Sequence, residues 1–134
     1  MNADRINQLV RATLADSMPF HEIVGNLMDE GVDYYQVDYV RLQFTFYGAQ
    51  GVVVAPLNIA DLPDVAREFD SRALKSAITD SQQHGQKFGQ FSARAMQAGV
   101  SSYYAFLTGQ RVTYFGRQGD QHTEWFPGAQ PEDA

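Results

Sequence analysis

The residues whose types and spacing suit chemistry lie near the end of the chain: Arg111, Thr113, His122 and Glu124. A histidine and a glutamate two positions apart on a strand share one face. With a cation opposite, such a pair could hold an anion or move a proton. The simpler interpretation is an exposed cross-strand ion pair, which contributes under about 1 kcal/mol to stability. We treat the four as candidate ligand-binding residues and assign no catalytic residue.

Two predicted hairpins must position these side chains. The turn at residues 116–119, which reads G-R-Q-G, predicts that Gly116 faces Gly119. That register places Thr113 opposite His122 and Arg111 opposite Glu124, so that all four side chains lie on one face.

The hairpin before it is predicted from a glycine turn. Gly109-Gln110 suits a two-residue type II′ turn, which takes glycine at its first central position. This turn would pair Leu107 with Val112 and Ala105 with Tyr114.

The chain repeats itself at an offset of 68 positions. Residues 20–51 and 88–119 align without a gap and are identical at nine of 32 positions. In both copies a helical apolar period ends at a glycine and changes to a period of two. We therefore predict an α+β fold with two units, about 19–57 and 87–127, each a helix followed by a three-stranded antiparallel meander.

An N-terminal helix and a bridging helix complete the predicted architecture. The helical spacing runs from Asp4 to Asp16, and a second helix starts at Asp70 or Ser71 and reaches about Gln83. We expect residues 1–127 to form a single domain and residues 128–134 to be a mobile polar tail.

Composition excludes several function classes. The net charge is −6 and the pI is about 4.8, which disfavours binding to nucleic acid or to an anionic membrane surface. Without cysteine the chain has no thiolate nucleophile and no cysteine-based metal site, and its three histidines lack metal-ligand spacing. We expect no metal, no cofactor, no signal peptide and a cytoplasmic location.

The aromatic residues suggest two alternatives. Seven tyrosines and nine phenylalanines could form a stacking platform for bases or sugars, but single-strand binders add a positive groove that this charge balance does not supply. Alternation along the strands instead predicts that most of the aromatics face the core. Exposed exceptions such as Tyr34 or Tyr104 could anchor a protein partner.

The second unit carries motifs of a known family. They include Arg111, Tyr114, Glu124 and the Phe126-Pro127 ending, and the stretch Y-Q-V-D from Tyr35 matches the first half. The chain resembles an uncharacterised family (family 1398) of bacterial and prophage proteins, sometimes labelled "phage envelope protein". The resemblance covers nearly the whole chain and implies a bacterial or phage source with no established activity.

The absence of an assembled catalytic set favours a non-enzyme. Our first hypothesis is a non-catalytic cytoplasmic module that binds a protein or a small ligand, with a homodimer possible. The alternatives are a small enzyme or metabolite binder that uses the polar patch of the last hairpin, and a structural component of a phage.

Overall fold

A computed structural model describes residues 1–130 of the chain. It contains four helices and six strands, in the order predicted for two repeated units. Their bounds are α1 (Ala3–Leu14), α2 (Phe20–Asp29), β1 (Val32–Asp38), β2 (Gln43–Gly48), β3 (Gly51–Pro56), α3 (Ser71–Gln83), α4 (Phe88–Gln97), β4 (Val100–Phe106), β5 (Arg111–Gly116) and β6 (Gln121–Trp125).

Local signals in the sequence set the ends of the helices. The Asp70 carboxylate accepts a hydrogen bond from the Ala73 N–H at 3.0 Å and caps α3, as predicted. Gly31 ends α2 in the left-handed region at a φ of 83°, and its N–H donates to the Met28 carbonyl. Glycine adopts this φ without a Cβ clash, so the period change at Gly31 marks a real boundary.

The two meanders form one antiparallel sheet of order β3-β2-β1-β4-β5-β6. The first strands of the two units, β1 and β4, pair at its centre. Gln36 lies directly opposite Tyr104 in that pairing, and the two residues are separated by the repeat offset of 68. Because β1 and β4 are antiparallel and repeat-equivalent residues face each other, an approximate two-fold axis relates the two units. The axis passes between Gln36 and Tyr104.

The helices cover one face of the sheet. Inward residues of five strands join the buried residues of the four helices in one apolar cluster. Those strand residues are Val32, Tyr35, Val37, Phe44, Phe46, Ala55, Val100, Tyr103, Ala105 and Tyr114. This shared core explains why neither unit needs a second layer of its own.

The first residue of the helix in each unit packs against an aromatic residue of the other unit. Phe20, at the start of α2, packs edge-on against Phe126 after β6, with 5.1 Å between ring centroids. Its repeat equivalent Phe88, at the start of α4, packs against Phe44 of β2 at 6.1 Å. The reciprocal contacts tie the units together across the two-fold relation.

The predicted register of the β4–β5 hairpin is wrong by two residues. Ala105 pairs with Val112 and Tyr103 pairs with Tyr114, because the loop holds four residues, 107–110, instead of two. Gln110, not Gly109, takes the left-handed conformation, at a φ of 55°. A shift of two residues keeps every side chain on its predicted face.

Residues 57–70 join β3 to α3 without helix or strand and include a turn at residues 60–61. The Asp70 N–H donates to the Ala98 carbonyl at 2.8 Å and the Ala66 N–H to the Met96 carbonyl at 2.9 Å. The segment therefore runs along the end of α4. Of the tail expected at 128–134, residues 131–134 lie outside the described residues.

Candidate functional site

The last hairpin has a register one residue away from the predicted one. Thr113 pairs with Thr123 and Tyr114 with His122. The turn holds three residues, 117–119, and is closed by the Gly116 N–H donating to the Asp120 carbonyl at 2.8 Å, with Gly119 left-handed at a φ of 87°. The equivalent turn of the first unit, where Gly48 faces Gly51, holds two.

The extra turn residue separates the four candidate residues. A one-residue shift moves every side chain of a strand to the opposite face. Arg111 and Thr113 lie on the face without helices, whereas His122 and Glu124 lie on the helix-covered face, opposite Tyr114 and Val112. The prediction that all four share one face is wrong.

Arg111 and Thr113 contact residues of β6 on the open side. The Arg111 guanidinium lies over the Trp125 ring, 4.1 Å from its centroid, and its Nε donates to the Gly109 carbonyl at 3.3 Å. This cation–π contact holds the cation against an aromatic surface. The hydroxyls of Thr113 and Thr123 lie 3.0 Å apart and share a hydrogen bond.

His122 and Glu124 form a separate pair beneath the helices. The His122 ring stacks on Tyr114 with 6.4 Å between centroids, and its Nε2 lies 3.8 Å from the Glu124 Oε2. That distance exceeds hydrogen-bond length. Within residues 1–130 the buried Nε2 has no hydrogen-bond partner.

Buried tyrosines line the core beside this pair. Burial raises the pKa of Tyr35, Tyr39, Tyr103 and Tyr114 well above the ordinary value for a phenol. The Tyr39 hydroxyl is 3.0 Å from the Ser92 Oγ, also buried. At neutral pH these phenols remain protonated and uncharged, so they serve packing and cannot act as bases.

The outward side chains form three rows that cross all six strands, which we call the open face. Pairing places residues in one line from β3 to β6. The first row is Val52, Tyr47, Tyr34, Phe106, Arg111 and Trp125. The second row is Val54, Thr45, Gln36, Tyr104, Thr113 and Thr123. The third row is Pro56, Gln43, Asp38, Ser102, Phe115 and Gln121.

Six aromatic side chains stand on the open face, half-buried and outside the core cluster. Tyr34 stacks on Tyr47 with 4.7 Å between centroids and lies 5.8 Å from Phe106. Tyr104 lies 6.0 Å from Phe106 and 6.1 Å from Phe115. The rings thus form a nearly continuous aromatic surface, joined at its edge by Arg111 over Trp125.

The outward positions of Tyr34 and Tyr104 are as predicted, but the sequence analysis did not identify Tyr47, Phe106, Phe115 or Trp125 as outward. A pattern in the sequence could have identified Tyr47 and Phe115 as outward. The strands carry adjacent aromatic pairs at 34–35, 46–47, 103–104 and 114–115, and neighbours on a strand point to opposite faces. Each pair therefore supplies one core ring and one ring to the open face.

Two cavities of the described chain lie away from the open face. A groove of about 820 Å³ opens beside Met1, Asp29, Glu30 and Gln50, and a small cavity lies in the core under α1. In the part of the chain that the structure describes, no group of three His, Asp or Glu side chains could hold a metal ion. No described helix is long and apolar enough to cross a bilayer.

Comparison with known proteins places the chain in one family. A search of curated proteins finds no match to this sequence. The family profile described as "Protein of unknown function (DUF1398)" matches residues 10–124, which include the first repeated unit, nearly all of the second and all four candidate residues. The chain belongs to this family of proteins of unknown function.

Proposed function

We propose that the protein is a non-catalytic binding module that docks on another protein surface through its open face. The observation that carries the proposal is the composition of that face: Tyr, Phe, Trp and Arg, which no other part of the described chain covers. These residue types dominate the energetics of protein interfaces. Arg111 and Thr113, two of the candidate residues, belong to this proposed surface.

The charge distribution supports a protein partner. The described open face carries one acid, Asp38, and one base, Arg111, within a chain of net charge −6. Depletion of charge at the centre of a patch is typical of protein interfaces. It is not typical of nucleic-acid sites, which need clustered cations.

The shape of the face favours a large partner over a small molecule. Small-molecule sites are concave and bury most of their ligand. The open face is a sheet surface, and both the groove beside Met1 and the cavity under α1 lie elsewhere.

A reaction at the candidate patch receives no support from the geometry. Arg111 and Glu124 point to opposite faces of β5 and β6, so they cannot act on one substrate atom together. We place the module in the cytoplasm of a bacterial or phage-infected cell, which is what composition and family resemblance suggest.

The test compares capture by matched variants of the tagged full chain in bacterial extract. Val54→Arg changes the open face at a side chain 55% exposed, and Met28→Arg makes the same charge change on α2 at a side chain 46% exposed. We expect a protein, whether foreign or an untagged copy, to be captured by the wild type and Met28→Arg but lost by Val54→Arg. Equal capture by all three, or no capture and no self-association, would contradict the proposal. Very large assemblies by light scattering would contradict it in favour of a phage structural component.

A further inference from the structure

We propose that the occupant of the open face is a second copy of the same chain, packed face to face about a two-fold axis that lies above Tyr104. In this dimer Arg111 of each copy lies against Asp38 of the other copy. The inference rests on the proposed function and names its partner. A two-fold interface uses one patch twice, so the patch must complement itself.

Charge selects the open face as the place where two copies can meet. Two chains of net charge −6 repel one another over most of their surfaces. The open face is neutral over its three rows, with Asp38 and Arg111 as its charged residues in the described chain. Two copies therefore approach at this face without burying like charges.

The positions of the two charges make the face self-complementary. Asp38 lies on β1 in the third row, and Arg111 lies on β5 in the first row. Tyr104 lies on β4 in the second row, one strand and one row from each of them. It is thus midway between the charges. A two-fold axis that lies above Tyr104, parallel to the sheet and perpendicular to the line joining the two charges, places each charge over the opposite charge of the other copy.

Both charged groups are held in place before association. The Asp38 Oδ1 accepts hydrogen bonds from the N–H groups of Val40 and Arg41, each at 2.9 Å. The Arg111 guanidinium lies over Trp125. Preorganised side chains lose little rotamer entropy on binding, which favours association.

The size of the face is sufficient for a specific dimer. Six strands about 4.8 Å apart and three rows of outward residues cover roughly 30 Å by 20 Å, a projected area of about 600 Å². The accessible area of a surface of rings exceeds its projection. Because an axis over Tyr104 lies off the centre of the sheet and leaves part of each face uncovered, the buried area lies at the low end for specific interfaces, which suits a dimer that forms at micromolar concentration.

Sedimentation of the purified full chain between about 1 and 200 μM tests the inference. We expect a monomer–dimer equilibrium that Val54→Arg weakens at least tenfold, although arginine lowers the repulsion between acidic copies. Met28→Arg should leave the dissociation constant unchanged or lower it. A wild type that is monomeric at 200 μM, or a dimer equally sensitive to both substitutions, would overturn the inference.

A double-mutant cycle tests the paired charges. Asp38→Asn keeps the oxygen that caps the β1–β2 turn, and Arg111→Gln keeps a polar side chain. We expect each substitution to weaken dimerisation about three- to tenfold and the double variant to weaken it no further, because the same contact is lost. Additive losses would refute the proposed axis.

Failure of this inference is distinguishable from failure of the proposed function. Suppose that the purified chain is monomeric, and that the wild type captures a foreign protein from extract whereas Val54→Arg does not. The open face then binds that protein and not a second copy. If neither a foreign protein nor a second copy depends on Val54, both proposals fail.

Discussion

His122 and its repeat equivalent, Val54, point to opposite faces of the sheet. Val54, 68 residues earlier, points outward and is 55% exposed, whereas His122 points under the helices beside Tyr114. The imidazole gains a stacking contact there but brings a nitrogen, Nε2, that finds no hydrogen-bond partner within residues 1–130. A buried polar atom without a partner destabilises the fold by about 1–3 kcal/mol.

Replacing this imidazole should therefore stabilise the protein. His122→Phe keeps a ring against Tyr114 and removes the unpartnered nitrogen. We expect the free energy of unfolding to rise by about 1 kcal/mol and Tm by about 3 °C, measured by thermal and urea denaturation. His84→Phe, at an exposed helix end, serves as the control and should change little. A less stable His122→Phe variant would mean that the nitrogen is satisfied in solution.

Two equivalent glycines differ in their surroundings. Gly31 and Gly99 both have positive φ, 83° and 93°. A Cβ on Gly31 would meet the Met1 Cγ at 3.9 Å, an ordinary contact. A Cβ on Gly99 would collide with the carbonyl oxygen of Glu68, which is backbone and cannot rotate away.

Alanine at these two positions should have unequal effects. Gly31→Ala should lower the free energy of unfolding by about 1–2 kcal/mol, the usual penalty of a left-handed alanine. Gly99→Ala should lower it by at least about 3 kcal/mol, because the connecting segment must also move. Urea unfolding of both variants checks this. Equal losses in the free energy of unfolding would show that residues 57–70 can move away from position 99 at little cost.

At the scale of elements, the start of α4 depends on a residue far away in sequence. Asp16, in the loop after α1, accepts a hydrogen bond from the Phe88 N–H at 2.8 Å. Asp16 itself is left-handed at a φ of 54°. Its carboxylate acts as an N-cap supplied by another segment and fixes α1 and α4 relative to each other.

Two substitutions at Asp16 distinguish the contribution of the capping hydrogen bond to stability from that of the left-handed backbone. Asp16→Asn keeps both the acceptor and a residue that tolerates left-handed φ, so we expect a loss below about 0.5 kcal/mol. Asp16→Gly keeps the conformation but loses the cap, and should lose about 1 kcal/mol or more in chemical denaturation. Equal stability of the two variants would show that the cap contributes nothing.

The elements were more predictable from sequence than the turns between them. Apolar periods and the Asp70 cap signal located the ends of α1 and α3 within two residues, and Gly31 marked the end of α2, because those signals are local. Turn lengths were not predictable in this way. The segment 116–119 resembles 48–51, yet the second turn includes an additional residue closed by Asp120, and that residue decided on which face His122 lies.

For the whole molecule, the buried tyrosines predict instability at alkaline pH. Burial raises the pKa of Tyr35, Tyr39, Tyr103 and Tyr114 above the unfolded value of about 10. Above that pH the unfolded chain releases protons that the folded chain retains, so stability is intact below pH 10 and falls as pH rises. Four such groups contribute a slope of up to about 5 kcal/mol per pH unit.

The measurement is a tyrosinate absorbance titration in parallel with circular dichroism. We expect the four buried phenols to ionise together with unfolding, within about one to three pH units above 10. Replacing Tyr39 by phenylalanine should reduce the steepness of the transition. Ionisation of all seven tyrosines near pH 10 with the fold retained would contradict the buried positions.

The open face as a whole could be inferred only after the topology was known. The pairing of β1 with β4 joins two short meanders into one surface about 30 Å wide, and nothing local in the sequence specifies that pairing. Adjacent aromatic pairs indicated outward rings, but their assembly into rows depends on six strands in one register. The central claim is that another protein surface covers these rows.

Trp125 tests that claim most directly, since it is the sole tryptophan of the chain and stands on the open face beside Arg111. The measurement is quenching of its fluorescence by acrylamide as the wild-type concentration rises from about 0.5 to 200 μM, with Val54→Arg in parallel. We expect quenching of the wild type to fall by at least half on association and that of Val54→Arg to remain high. Quenching that is the same at every concentration, in a chain that sedimentation shows to be dimeric, would place the interface elsewhere and contradict the account.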